Sequence, residues 1–238
     1  MFAEHGGVAY FRRMSTILIT GAYRGLGLAT AKMLSGRGHR VIVTARDEGL
    51  AAKAGKEARV EHLVLDVTSE SSIAAAVMEL ERRMGALDAL INNAAVLLDG
   101  KIAPLDLTGD VMRRTFEVNS IAPLRVAQAF LPLLKKSGSP RMVNVSSVCG
   151  QMGSEVSAWA VAYSASKSAL NMITRHLAAT LPGVAVNSVC PGWCKTEMGG
   201  EQAPRTVEEG ADTIAWLASE SPHDLTGSFF RDRKVIAW

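Results

Sequence analysis

The sequence predicts a doubly wound α/β fold, a parallel sheet with helices on both faces in a single domain, on three observations. Short aliphatic and β-branched runs alternate with longer stretches of helical spacing. The runs lack the polar alternation of a half-exposed strand, so both faces of each must be covered. A glycine-rich segment, TGAYRGLG at 20–27, joins the first run to the first helical stretch. With 238 residues, 48% hydrophobic and 21% charged, the chain is long enough for one sizeable core and short for two.

Taken in order, residues 1–14 (MFAEHGGVAYFRRM) precede the first apolar run and read as an N-terminal extension to a domain spanning 15–238. Strands are expected in TILIT (16–20), RVIVTA (40–45), VEHLVLDV (60–67), LDALINNA (87–94), PRMVNVSS (140–147) and VAVNSVCPG (184–192). Apolar residues three and four apart predict helices in LATAKMLSGR (28–37), SESSIAAAVMELERRM (69–84), AYSASKSALNMITRHLAATL (162–181) and TVEEGADTIAWLASE (206–220). Another long helix is expected over 108–136, and LTGD and VTSESS supply capping residues.

Composition removes several function classes. The net charge of +3 comes from basic residues spread along the chain, which is not the footprint of a nucleic-acid groove. Cys149, Cys190 and Cys194 match neither a disulfide framework nor a zinc site, so no metal is expected and a reducing cytoplasm suits the chain. No apolar run reaches the roughly 18 residues a membrane span requires.

In an α/β sheet, a glycine-rich turn between strand and helix lets backbone N–H groups approach a phosphate, so Gly21, Gly25 and Gly27 point to a pyrophosphate-bearing ligand. At the end of the second strand, a carboxylate favours NAD and positive charge favours NADP. Here Thr44 and Ala45 lead to Arg46, and Arg24 adds a second cation within the turn. Charge-assisted hydrogen bonds of about 1.5–3 kcal/mol each would give the two arginines a preference of roughly a hundredfold or more for NADPH. Asp47 either pairs with Arg46 or accepts from a ribose hydroxyl. Tyr163 and Lys167, four apart, share a helix face. Lowering a phenol from about 10 to 7 takes roughly 4 kcal/mol, about what an ammonium some 4 Å away supplies. Tyr163 is therefore a candidate acid/base for an oxygen interconverting between alcohol and carbonyl.

These segments, with LDV at 65–67, NNAA at 92–95, VNS at 118–120, VNVSS at 143–147, YSASK at 163–167 and CPGWCKTEMGG at 190–200, resemble the short-chain dehydrogenase/reductase family over about 15–238. TARD, CPGW and GSFFRDRKVIAW narrow the likeness to its NADPH-dependent carbonyl reductases. The resemblance implies a Rossmann fold, NADP(H) as cofactor and a small carbonyl or alcohol as substrate. It implies Tyr163 as acid/base, Lys167 as its pKa modulator and ligand of the nicotinamide ribose, Ser147 holding the substrate oxygen, and Asn119 completing a proton relay. Cofactor contacts would come from Gly21, Tyr23, Arg24, Gly25, Leu26, Gly27 and Arg46. Asp66 and Val67 would flank the adenine, Asn92 and Ala94 would lie in the cleft, and Pro191, Gly192 and Thr196 would hold the nicotinamide end and pyrophosphate.

The chain departs from the family at Ala95, which replaces the last glycine of N-N-A-G and calls for an ordinary backbone conformation there. It also lacks the long insertion that monomeric carbonyl reductases carry before the catalytic tyrosine. The helices starting near Thr108 and Tyr163 are thus free to pack on copies of themselves, and a homodimer or homotetramer is expected. An apolar substrate pocket is expected from Ser147, Val148, Met152, Trp159, Trp193 and Met198, suited to an aromatic or alicyclic ketone, with a mobile lid around Gly199, Gly200 and Pro204. Two alternatives remain: a 3-oxoacyl carrier-protein reductase recognising its carrier through Arg113, Arg114 and Arg125, and an NADPH-binding sensor or scaffold without turnover.

Overall fold

The computed structural model describes residues 14–153 and 159–238, so the expected extension lies outside the described residues except for Met14. Eight strands form one sheet: β1 (Thr16–Ile19), β2 (Arg40–Ala45), β3 (Glu61–Val64), β4 (Ala89–Asn92), β5 (Arg141–Val145), β6 (Ala185–Val189), β7 (Phe229–Arg231) and β8 (Lys234–Ile236). Their order is β3-β2-β1-β4-β5-β6-β7-β8. All pairings are parallel except the last, where β7 and β8 form an antiparallel hairpin. The six expected strands are present, and the hairpin adds two more.

Among the described residues seven α-helices cover the sheet: α1 (Gly25–Gly36), α2 (Glu48–Ala58), α3 (Glu70–Met84), α4 (Gly109–Phe116), α5 (Ala122–Leu134), α6 (Val161–Thr180) and α7 (Val207–Ser219). Successive strand side chains point to opposite faces. Ile17 and Ile19 therefore pack with Leu34, Ile214 and Leu217 of α1 and α7, while Leu18 packs with Leu80 of α3 and Phe130 of α5. Among the described residues no helix is long and apolar enough to cross a membrane, and no group of His, Cys, Asp or Glu could hold a metal ion.

The long helix expected over 108–136 is interrupted. Between α4 and α5 the backbone runs as a π-helical turn, Glu117–Ile121, centred on Asn119. Helix α2 was not expected; Asp47 caps it, its carboxylate accepting from the Leu50 N–H at 3.0 Å. Asp47 thus serves as a helix cap and forms no ion pair with Arg46 among the described residues.

Candidate functional site

Sheet order reverses direction between β1 and β4, and a crevice opens there at the carboxyl ends of the strands. Thr20 and Asn93 build its floor. Thr20 Oγ1 accepts from the backbone N–H of Asn93 (2.9 Å) and Ala94 (3.0 Å), while Asn93 Nδ2 donates to the carbonyls of Thr20 (2.8 Å) and Gly21 (3.2 Å). These bonds draw the loop after β4 tightly onto the glycine turn. A Cβ on Gly27 would lie 2.6 Å from Asn93 Nδ2 and 2.8 Å from the Ala22 Cα. Gly21 has φ +61°, and a Cβ there would meet Ala94 at 3.0 Å. The turn thus excludes side chains first because of its own protein neighbours.

The crevice holds about 1270 Å³ and is lined by Gly21, Tyr23, Arg24, Gly25, Leu26, Gly27, Arg46, Asp66, Val67, Asn93, Ala94, Ala95, Tyr163, Lys167, Pro191, Thr196 and Met198, among others. Helix α1 starts on its wall with no side-chain cap and no acid in the first turn. Its free N–H groups and positive dipole end suit an anionic phosphate. The Asp66 carboxylate is held at the rim by the Thr68 N–H (2.9 Å) and hydroxyl (2.7 Å). Arg24 lies over the Tyr23 ring at 5.0 Å and contacts the Glu197 carboxylate, while Arg46 is exposed at the end of β2. A crevice of this volume with an uncapped helix end and flanking cations fits a phosphorylated dinucleotide. Ala95 has no positive φ, as its side chain requires.

Tyr163 and Lys167 reach this crevice from the first turns of α6. Lys167 Nζ sits 5.6 Å from the Tyr163 ring centroid and donates to the Val145 carbonyl at 2.9 Å. Burial brings the lysine down to about 8, with Cys190 acting in the opposite sense. The Tyr163 phenol is pushed up, first by burial and then by Cys149, against a downward pull from the Ser147 hydroxyl. The phenol is thus raised and not lowered toward neutrality as expected: burial dominates, and the Lys167 ammonium is directed at the Val145 carbonyl. Ser147 also receives the Cys149 N–H at 3.1 Å, at the start of a 3-10 turn, Val148–Gly150.

Asn119 is fully buried and its amide is engaged: Oδ1 accepts from the Val96 N–H (2.8 Å), and Nδ2 donates to the Val96 carbonyl (2.9 Å) and Ser166 Oγ (3.0 Å). It ties the π-helical turn to the loop after β4 and to α6. π-Turns release backbone groups from the regular ladder and often occur at functional positions.

Other expected site residues lie elsewhere. Asn92 does not line the crevice. Its amide donates to Asn144 Oδ1 at 2.9 Å, beginning a buried chain through Thr174 to Ser188 that joins β4, β5, α6 and β6. Gly192, at φ +79°, instead clears the Arg205 side chain, which would meet its Cβ at 2.6 Å. Of the expected pocket residues, Met198 lines the crevice and the Ser147 hydroxyl adjoins it beside the Tyr163 phenol, whereas Val148, Met152, Trp159 and Trp193 lie outside its lining. Met152 is 83% exposed. Trp193 Nε1 donates to the Gly199 carbonyl (2.7 Å), and Trp159 Nε1 to the Gly100 carbonyl (3.0 Å). The expected lid is pinned at its base, where Lys195 N–H donates to the Arg205 carbonyl at 2.9 Å. Thr20 and Asn93 were missed as site builders, although Thr20 opens the glycine-rich segment and Asn93 belongs to NNAA.

A crevice at a sheet's reversal point, bounded by a glycine turn and a Tyr–Lys pair, defines a nucleotide-binding oxidoreductase of the doubly wound class. The short chain dehydrogenase family model matches residues 15–206, and the chain belongs to that family. It is 37% identical over 241 residues to the short-chain dehydrogenase anuI of Penicillium roqueforti, covering 92% of this chain and 95% of the relative. It is 32% identical over 276 residues to the NADPH carbonyl reductase 3 of Rattus norvegicus, covering 93% and 97%. The NADPH-bound carbonyl reductase from chicken fatty liver superposes with a TM-score of 0.83 at 31% identity, covering 95% of this chain and all of that one.

Proposed function

We propose that the protein reduces a ketone or aldehyde to an alcohol, or runs the reverse reaction, with NADP(H). The observation that carries this reading is the convergence of Tyr163 and Lys167 on the same crevice as the uncapped α1 terminus, Arg24 and Arg46. Relatives described as NADPH carbonyl reductases support both the cofactor and the substrate class.

On this reading, the backbone N–H groups at 25–27 hold the pyrophosphate, and Arg24 and Arg46 receive the 2′-phosphate. Asp66 and Val67 flank the adenine. The bound dinucleotide supplies the hydride. Tyr163 gives its proton to the carbonyl oxygen, which Ser147 orients, and Lys167 binds ribose hydroxyls while stabilising the phenolate left behind. The loop after β4 and the segment around Met198 border the carbonyl compound. A symmetric dimer or tetramer across α4 and α6 belongs to the same reading, supported by Met172 of α6, which is 51% exposed.

The test follows NADPH and NADH consumption across quinones, aromatic ketones, aldehydes and an acetoacetyl thioester, with wild type beside Tyr163→Phe. Turnover with NADPH that falls at least a hundredfold in the variant is expected. Equal rates in the two proteins would remove Tyr163 from the mechanism.

A further inference from the structure

Helix α6 carries Tyr163 at its third position, yet its sequence provides no cap. The residue before it, Ala160, has a left-handed backbone (φ 51°), makes no side-chain cap bond, and is followed by no acid in the first turn. The missing acceptor comes from 63 residues earlier. Asp99, 1% exposed, accepts from the backbone N–H of Ala162 at 2.6 Å and of Tyr163 at 3.4 Å. Among the described residues no cation is paired with Asp99. Its carboxylate is matched by the two N–H groups and the positive end of the α6 dipole.

Asp99 belongs to the loop after β4, which is held at three successive points. Asn119 clamps Val96 from both sides, Asp99 seizes the start of α6, and the Gly100 carbonyl receives Trp159 Nε1. The Trp159 ring lies 6.4 Å from the Tyr163 ring at 60°. The loop that leaves the crevice floor at Asn93 therefore sets the height and rotation of the turn from which the Tyr163 phenol projects.

We propose that Asp99 is a positioning residue for Tyr163: its buried carboxylate is the transplanted N-cap of α6 and fixes the phenol relative to the crevice. This inference rests on the role given to Tyr163 under the proposed function. A misplacement of about 1 Å at a reacting group can cost on the order of a hundredfold in rate, so the cap controls turnover more than binding. Asp99→Ala removes both acceptors. Asp99→Asn keeps one amide oxygen in place without the charge and serves as the conservative rescue.

The experiment compares wild type, Asp99→Ala and Asp99→Asn in three readouts: kcat and KM with NADPH and an aromatic 1,2-diketone, NADPH affinity by fluorescence titration, and ¹⁹F NMR after 3-fluorotyrosine labelling. The chain has three tyrosines, and Tyr163→Phe assigns the relevant resonance. Asp99→Ala is expected to lower kcat by about tenfold or more, keep the NADPH Kd within about twofold, and shift or broaden the Tyr163 resonance alone. Asp99→Asn is expected to return kcat to within about threefold of wild type, with a wild-type-like resonance. Unchanged kcat and resonance in Asp99→Ala would overturn the proposal. So would a loss of NADPH affinity matching the loss of kcat with all resonances displaced, which marks a merely structural residue. If wild type reduces no carbonyl, the functional reading fails while the Tyr163 resonance still decides the positioning role. If Asp99→Ala does not fold, Asp99→Ser, with a single hydroxyl acceptor, takes its place under the same criteria.

Discussion

Lys167 is 2% exposed, and burial takes its ammonium from an ordinary 10.5 down to about 8. Below that pH the folded protein carries a desolvated charge at a cost of about 3 kcal/mol, the equivalent of that fall. Between about 8 and 10.5 the unfolded chain binds more protons than the folded one, so stability rises with pH through this window. From about pH 7 to pH 9.5 the gain due to Lys167 is about 2 kcal/mol. Lys167→Met abolishes this dependence but leaves the Val145 carbonyl without its 2.9 Å donor, a loss of about 1–3 kcal/mol. At neutral pH the variant is therefore expected to match wild type or exceed it by up to about 2 kcal/mol. Urea unfolding of both proteins without cofactor, at about pH 7 and pH 9.5, measures the difference; shared titrations cancel, and wild type should gain about 2 kcal/mol on the variant. A difference that changes by less than about 0.5 kcal/mol between the two pH values would refute the buried, uncompensated ammonium.

Arg24→Ala and Arg46→Ala should each weaken NADPH by about tenfold or more, as measured by fluorescence titration, while leaving NADH within about threefold. Gly27→Ala places a methyl 2.8 Å from the Ala22 Cα, which is backbone and cannot swing aside. It should lower stability by about 1–3 kcal/mol in urea unfolding. Thr206 and Glu209 form a reciprocal capping box at the start of α7, and Thr206→Ala should cost about 1 kcal/mol. For a chain of this size that lowers Tm by about 2–4 °C in calorimetry.

The first six of the parallel strands were legible because covered faces demand unbroken apolar runs. The β7–β8 hairpin was not, since three-residue strands carry too few positions for a period to register. Helix α2 escaped because Gly49, Gly55 and four alanines dilute its apolar stripe, although its buried Ala51 and Ala54 pack well against the sheet. The π-helical turn is invisible to periodicity: VNSIA continues the apolar spacing of the flanking helices, and only the backbone reveals the inserted residue. Within the site, the glycine turn and the Tyr–Lys spacing are local patterns and could be read directly. The Thr20–Asn93 clasp, 73 residues apart, and the Asp99 cap exist only through topology. For the same reason Asn92 was misplaced: adjacent asparagines at a strand end point to opposite faces, and the sequence does not say which one meets the crevice.

Taken together, the shifts at Tyr163 and Lys167 bear on how the protein prepares the proposed reaction. A phenol pushed up by burial stays protonated across the neutral range, while a lysine near 8 is mostly charged below that pH. The protein alone therefore holds a proton donor beside a cation, the starting arrangement for delivering a proton to a carbonyl oxygen. Phenolate becomes favourable only as it is formed, when the ammonium and the Ser147 hydroxyl stabilise the new negative charge. Burial, which opposes ionisation of both groups in the resting state, also strengthens their attraction once both are charged. Alcohol oxidation starts instead from the deprotonated phenol, the form this environment disfavours. On the proposed reading, the resting protonation of the pair is the form that carbonyl reduction requires.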